Sequence, residues 1–423
     1  MALIGTLQVA SDKSITHRAI IFASLAKGRT VIKHPLLGED CLSTLTIFEA
    51  LGVTTTIKSD HIVIESPGFS AFTQPKQALQ ANNSGTTARL LMGVLANLPF
   101  DVVLEGDESL SKRPMKRVSD PLSRMQARIE LTEQGTLPAI IKGGSLTGMT
   151  YELPVASAQV KSAIMLAALF ATGTTIIKEP IKSRDHTEKM FKSFGLSCEI
   201  NDQTLVIRGQ QIPKTPKEMT VCGDISSAAF FMVGAALIKD SQLTIQNVGL
   251  NETRAGIIEV MKAMNANITI QNERDAGGEK VGDILVRYSP NLKATTIEGE
   301  LIPRLIDELP VIALLCAHAT GTTVIKDAEE LKVKETNRLD KTVELLQQLG
   351  LNLEATLDGM IIYGEPGVLL QSGKVNSYGD HRLAMMLYIA SLLTENGLEI
   401  EDLQAMNISY PSFIRDVLAL TKE

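Results

Sequence analysis

Apolar and polar positions alternate along this chain in a unit that recurs. The unit is a helix of small apolar residues, a glycine, a Thr-rich strand, a charged helix, a Leu-Gly or Phe-Gly pair and a strand hairpin. Three copies stand out: HRAIIFASLAKGRTVIKHPLLGED with FEALGVTTTIKSDHIVI; KSAIMLAALFATGTTIIKEPIKSRDHTEKMFKSFGLSCEINDQTLVI; and LPVIALLCAHATGTTVIKDAEELKVKETNRLDKTVELLQQLGLNLEATLDGMII. Gly28, Gly173 and Gly321 fall at the same point of the pattern, with room for one more copy in each interval. Weaker copies begin at NSGTTARLLMGVLANLPFDVVLEG, at GDISSAAFFMVGAALIKDSQLTIQNVGLNETR and at GDHRLAMMLYIASLLTENGLEIEDL.

Six units of about 70 residues therefore account for the chain, each with two helices and strands of period two. The first helices are apolar almost all round, which is the mark of burial. A single unit cannot cover its own faces, so three are expected to pack into each of two domains, helices inside and small sheets outward. The class is α/β, with one domain over 13–223 and the other over 1–12 plus 224–423. The leading GTLQVAS resembles the closing strand of a unit and is expected to complete the second domain's sheet.

Composition narrows the function. The formal net charge of −7, with no basic run, argues against nucleic acid or an anionic membrane as the main partner. The longest apolar stretches, such as Leu383 to Leu393, fall short of a membrane span. The start MALIGTLQVASDKS lacks a secretory leader, so the cytoplasm is the expected location. Cys41, Cys198, Cys222 and Cys316 are far apart and match no metal-ligand spacing, so no metal site and four reduced cysteines are expected. No GxxxxGK[ST] or GxGxxG element is present in strand-turn-helix context, and no cofactor is indicated.

The chemistry lies at helix starts, where unpaired N–H groups and the positive dipole end favour anions. DKSITHR places Lys13, Ser14 and Arg18 at one entrance, NNSGTT places Asn83, Ser84, Gly85 and Thr86 at a second, and SAQVK places Ser157, Gln159 and Lys161 at a third. Any one Ser or Asp there would serve equally as an N-cap. The second helices add SKRPMKR, SRDHTEK, NETR and KVKETNR, each with an arginine. Cations at a helix entrance oppose the dipole, a conflict that an anionic ligand resolves. Asp307 and Glu335 stand apart as carboxylates among basic residues, which suits proton transfer at a hydroxyl. Of the histidines beside arginines, His17 reads as structural and His381 as a polar site residue.

Taken in order, DKSITHR, NSGT, RPMKR, SAQVK, DELP, VKETNR and GDHR make the chain resemble the 5-enolpyruvylshikimate-3-phosphate synthase family over essentially its whole length. The resemblance implies two lobes of three βαβαββ units and transfer of the enolpyruvyl group of phosphoenolpyruvate to the 5-hydroxyl of shikimate 3-phosphate, through a tetrahedral ketal, in aromatic amino acid biosynthesis. It implies that Lys13, Ser14, Arg18, Ser157, Ala158, Gln159, Arg184, Asp307 and Lys334 surround shikimate 3-phosphate. Lys13, Gly85, Thr86, Arg113, Gln159, Arg338 and Arg382 would hold phosphoenolpyruvate in a cleft that closes between the domains. Lys13, Asp307 and Glu335 would be catalytic. No cofactor or metal, a monomer, and inhibition by glyphosate, an anion longer than phosphoenolpyruvate in the same pocket, are further implications.

SAQ in place of SSQ looks like the less common bacterial branch. Three positions depart from the family: Ala10-Ser11 stand where Pro-Gly is usual, Asn337 replaces an Asp and is expected to loosen Arg338, and NISYPSF lacks a lysine. The sister family that transfers enolpyruvyl to UDP-N-acetylglucosamine usually has a cysteine where this chain reads ESLSKRPMKR. A catalytically inactive binding protein and an RNA-end-processing enzyme of similar repeats are opposed by the acidic charge and the intact set of charged site residues.

Overall fold

The computed structural model describes residues 2–422. Its α-helices, in chain order, are α1 (Lys13–Leu25), α2 (Glu39–Ala50), α3 (Gly85–Leu95), α4 (Lys116–Arg124), α5 (Ala158–Phe170), α6 (His186–Ser193), α7 (Ile225–Leu237), α8 (Gly256–Ala263), α9 (Leu309–Ala317), α10 (Arg338–Gln348), α11 (His381–Ser391) and α12 (Phe413–Leu420). The chain divides into two compact domains. Domain A comprises Ser11–Val221 and Ala276–Gly278; domain B comprises the residues up to Ala10, Cys222–Asp275 and the chain from Glu279 on.

Each repeat becomes one small sheet carried by two helices. Around Gly28–Lys33 the strand order is Glu218–Thr220, Gly28–Lys33, His61–Ser66, Thr54–Ile57. The first pair is parallel and the rest antiparallel. Thr54–Ile57 and His61–Ser66 form a hairpin, while the parallel pair joins strands from the two ends of domain A. The same order recurs twice more in domain A, around Val102–Glu105 and Thr174–Lys178, and again in domain B around Gly321–Ile325. In domain B the strand Ala2–Leu7 runs parallel to Gln242–Gly249 and joins its sheet, with Thr421–Lys422 antiparallel on its other side. The last copy departs from the pattern, with Gly373–Asn376 paired in parallel to Leu398–Glu401 alone among the described residues.

The helices expected to be apolar all round are buried. Every residue of α9 is inside, as is nearly all of α1, α3, α5, α7 and α11. One close crossing requires glycine. A Cβ at Gly93 in α3 would lie 2.1 Å from the Ala163 carbonyl oxygen in α5, so any side chain would force these two helices apart. Capping residues set where the buried helices begin. Asp12, Ser84, Ser157, Asp224 and Asp380 each accept a hydrogen bond from a first-turn N–H of α1, α3, α5, α7 and α11 respectively. Chemistry-bearing residues beside those caps are thereby held at fixed helix ends. No helix among the described residues is long and apolar enough to cross a membrane.

Candidate active site

In domain A, side-chain bonds join the entrances of α1, α2, α3 and α5. Lys13, in the first turn of α1, pairs through Nζ with Asp40 Oδ2 of α2 at 3.0 Å. The Asp40 carbonyl accepts from Thr87 Oγ1 of α3 at 3.2 Å, and Thr87 bonds Thr44 Oγ1 at 2.7 Å and Ser84 Oγ at 2.7 Å. Behind them His17 Nδ1 meets Thr44 Oγ1 at 2.8 Å. Burial, reinforced by Lys13 and Arg18 and opposed by Asp40, lowers the imidazole pKa to about 3. His17 is therefore a neutral structural group, as its sequence context suggested.

Gln159 of α5 is oriented from both ends of its amide. Its Oε1 accepts from Arg89 Nη1 at 2.8 Å, and its Nε2 donates to Thr86 Oγ1 at 3.2 Å. Arg89 Nη2 also donates to the Pro114 carbonyl at 3.3 Å, next to Arg113. Arg113 Nη2 donates to Asn83 Oδ1 at 2.9 Å, on the turn that leads into Gly85. A Cβ on Gly85 would stand 3.2 Å from Arg89 Nη1 and 3.6 Å from Arg113 Nη1. Lys13, Gly85, Thr86, Arg113 and Gln159, far apart in sequence, thus belong to one connected cluster.

Other expected residues of domain A serve the framework as well. Ser157 caps α5, and Ala158 is that helix's first residue. Arg18 is buried, with Nε on Thr187 Oγ1 at 2.7 Å, Nη2 on Ser162 Oγ at 2.8 Å and Nη1 on the Ser14 carbonyl at 3.0 Å. Arg184 lies half-buried in the turn before α6.

In domain B the cluster centres on Arg338, the first residue of α10, which is 1% exposed. Its Nε donates to Asp380 Oδ2 at 2.9 Å and its Nη2 to Asp380 Oδ1 at 3.1 Å. Nη2 also pairs with Glu335, and Nη1 lies 3.6 Å from Asp307 Oδ1. Arg382 Nε is 3.9 Å from the same Asp307 oxygen. Burial opposes the charged form of Arg338, yet Asp380, Glu335 and Asp307 together hold its pKa above the ordinary value. Burial likewise pushes the Asp380 carboxyl up, and the Arg338 guanidinium more than reverses this, so it stays below the usual carboxylate range. His381, the first residue of α11, is buried beside Asp380. Lys334 pairs through Nζ with Glu330 at 3.0 Å.

Several expectations change. Asn337 does not loosen Arg338: its side chain accepts from the Asp340 N–H and caps α10, while Asp380 fixes the arginine. Asp307 and Glu335 precede their helices by two and three residues, and the cap positions fall to Glu308 and Asn337. Lys161 and Arg254, both read at anion-binding entrances, are interior. Lys161 pairs with Glu179 and Glu188, and Arg254 with Asp224 at 3.0 Å. Burial raises the thiol pKa of Cys198 and Cys316 to about 12, so neither is a ready nucleophile.

Three charged residues were missed at the sequence level: Asp40, Arg89 and Asp380. All three are buried charges at or near a helix start: Asp40 beside Glu39 in the first turn of α2, Arg89 as the one charge on α3, and Asp380 as the cap of α11. That signal implies a partner, because a charge on a fully packed helix is rarely left uncompensated.

Comparison with known proteins completes the picture. The family model described as EPSP synthase (3-phosphoshikimate 1-carboxyvinyltransferase) matches residues 1–417. A 3-phosphoshikimate 1-carboxyvinyltransferase of Bacillus cytotoxicus is 50% identical over 98% of this chain and 97% of its own length. One from Staphylococcus saprophyticus is 49% identical over 100% of this chain and 97% of its own. The solved EPSP synthase of Acinetobacter baumannii superposes with a TM-score of 0.89 at 40% identity, covering 99% of this chain and 96% of that one. The enolpyruvyl transferase NikO of Streptomyces tendae, at 18% identity and a TM-score of 0.79, shares the fold over 99% of this chain and 95% of its own. With a full-length family match and relatives at half identity along its whole length, the chain belongs to the EPSP synthase family.

Proposed function

We propose that this enzyme, which moves the enolpyruvyl group of phosphoenolpyruvate onto shikimate 3-phosphate, does so with the two side-chain clusters of domains A and B. The observation that carries this assignment is the Lys13, Gly85, Thr86, Arg113, Gln159 cluster: cations beside helix N-termini, with a glycine where bulk would meet two guanidinium groups. Such an arrangement favours a small anion bearing phosphate and carboxylate. Arg338 and Arg382 add guanidinium charge from domain B for phosphoenolpyruvate. Lys13, Ser14, Arg18, Ser157, Ala158, Gln159, Arg184, Asp307 and Lys334 are assigned to shikimate 3-phosphate.

In the reaction, the 5-hydroxyl oxygen attacks C2 of phosphoenolpyruvate as its proton leaves to a base and C3 gains a proton. The product of this step is a tetrahedral ketal phosphate. The C–O bond to phosphate then breaks, C3 loses a proton and the enol ether forms. Asp307 and Glu335 are the assigned proton carriers, and Lys13 and the arginines stabilise charge developing on the phosphate and carboxylate oxygens. Asp307 and Glu335 flank the same guanidinium of Arg338, which orients both carboxylates. The chemistry requires neither metal nor cofactor, since arginines neutralise the anions directly. The protein is assigned as a cytoplasmic monomer, and the absence of a nucleic acid or membrane partner from this reading accords with the net charge of −7.

The test is phosphate release from phosphoenolpyruvate. Release should require shikimate 3-phosphate and yield the enolpyruvyl ether in equal amount. Release without shikimate 3-phosphate, or none with both substrates present, would overturn the proposal.

A further inference from the structure

Lys161 has no part in the chemistry above, yet it is completely buried on α5, the helix that Ser157 caps and that begins with Ala158 and Gln159. Its Nζ lies 2.9 Å from Glu179 Oε2 and 2.6 Å from Glu188 Oε1, and those two carboxylates are 4% and 6% exposed. It also donates to the Ser183 carbonyl at 3.4 Å. A buried ion triad is costly to assemble and adds little net stability compared with apolar residues of the same size. Burial pushes the Glu188 carboxyl up, with Lys161 pulling the other way.

Where the three charges sit explains what such a cluster achieves. Glu179 follows directly on the strand Thr174–Lys178 and opens the turn that carries Arg184. Its Oε1 accepts from the Ser183 N–H at 2.9 Å and also from the Ser183 hydroxyl, closing that turn on itself. Glu188 lies in the first turn of α6, next to Thr187. The neighbouring pair on each helix does a parallel job: Ser162 Oγ meets Thr187 Oγ1 at 2.7 Å, and both bond Arg18. Two consecutive residues of α5 therefore grip two consecutive residues of α6. The elements joined in this way carry Ser157, Gln159, Arg184 and Arg18.

We infer that Lys161 is a positioning residue for shikimate 3-phosphate: through Glu179 and Glu188 it sets the α5 entrance and the Arg184 turn in register with each other. The inference rests on the reading of Ser157, Gln159, Arg184 and Arg18 as shikimate 3-phosphate ligands. Lys161 touches no substrate in this scheme. It acts through the backbone placement of residues that do, and displacement of such groups by even about 1 Å costs on the order of a hundredfold in favourable cases.

The experiment compares Lys161→Met, Glu179→Gln and Arg184→Ala with the wild type. Shikimate 3-phosphate binding is titrated by calorimetry, KM for each substrate is measured at saturation with the other, and Tm confirms folding. Lys161→Met should weaken shikimate 3-phosphate binding by about tenfold or more, with a clearly smaller rise in KM for phosphoenolpyruvate, which shares Gln159 alone of these four ligands. Glu179→Gln, which keeps shape and removes one charge, should give a smaller loss in the same direction, and it decides the matter if Lys161→Met does not fold.

If Arg184→Ala weakens binding while the folded triad variants bind as wild type, the positioning inference is wrong and the ligand reading stands. If Arg184→Ala binds normally, the ligand reading itself fails. Equal loss for both substrates in the triad variants marks a merely structural role and also overturns the inference.

Discussion

Gly85 is the position where one methyl group should reveal the anion pocket most clearly. It is the first residue of α3, and a Cβ there would lie 3.2 Å from Arg89 Nη1 and 3.6 Å from both Arg113 Nη1 and Leu110 Cδ1. Comfortable contacts to carbon begin near about 3.5 Å, so the overlap with Arg89 is about 0.3 Å. Arg89 cannot swing away at no cost, because its guanidinium holds Gln159 Oε1 and the Pro114 carbonyl. The helix itself tolerates alanine better than glycine by about 1 kcal/mol, which offsets the overlap with Arg89, so Gly85→Ala should leave Tm close to that of wild type. For phosphoenolpyruvate the strain falls at the low end of overpacking, about 1 kcal/mol, which raises KM about fivefold. A longer anion such as glyphosate must occupy more of the same space and should lose about 2–3 kcal/mol, or about 30-fold to 150-fold in its inhibition constant. Steady-state kinetics at saturating shikimate 3-phosphate, with and without glyphosate, measures both constants in one preparation. Equal factors for the two anions, or no change in either, would refute the placement of Gly85 in the pocket.

Lys13→Met should abolish turnover while the protein stays folded, and retention of about a tenth of wild-type activity would contradict its assigned role. Asp380→Asn keeps the α11 cap but strips a buried guanidinium of its main counter-charge, so stability should fall by about 3 kcal/mol in urea melts. Because the Asp380 carboxyl is held below its ordinary value, that stabilisation is present above about pH 4, and the gap between the two proteins should close only at lower pH. His17 gives a second pH dependence of known sign. Its folded pKa of about 3 lies below the unfolded value, so the unfolded chain takes up the proton first, and wild type should lose up to about 1.4 kcal/mol per pH unit below about pH 6.5 relative to His17→Asn. A wild-type and variant difference independent of pH from 7.5 to 5 would refute the neutral buried histidine. EDTA should leave activity unchanged, and loss that added divalent cation restores would refute arginine-based neutralisation of the phosphates.

Much of this protein follows from order along the chain. The six repeats are visible because helix and strand periodicity are local properties, and an all-round apolar segment such as ISSAAFFMVGAAL has few options other than burial. The candidate ligands were legible for a related reason: basic residues at helix entrances conflict with the dipole and so call for an explanation. What the sequence alone could not distinguish was which of those charges already have protein partners. Lys13 and Lys161 look alike as basic residues at helix entrances, yet one sits at the edge of the core beside Asp40 and the other is sealed between Glu179 and Glu188. Nor could the sequence show that Arg254 and Arg338 are both buried against carboxylates, Asp224 and Asp380, or that the Asn337 side chain caps a helix instead of steering an arginine. Counter-charges for these groups come from segments tens of residues away, and only packing determines which segments meet. Burial then decides the chemistry, because removing water makes each charge depend on the few neighbours that the fold has placed within about 4 Å.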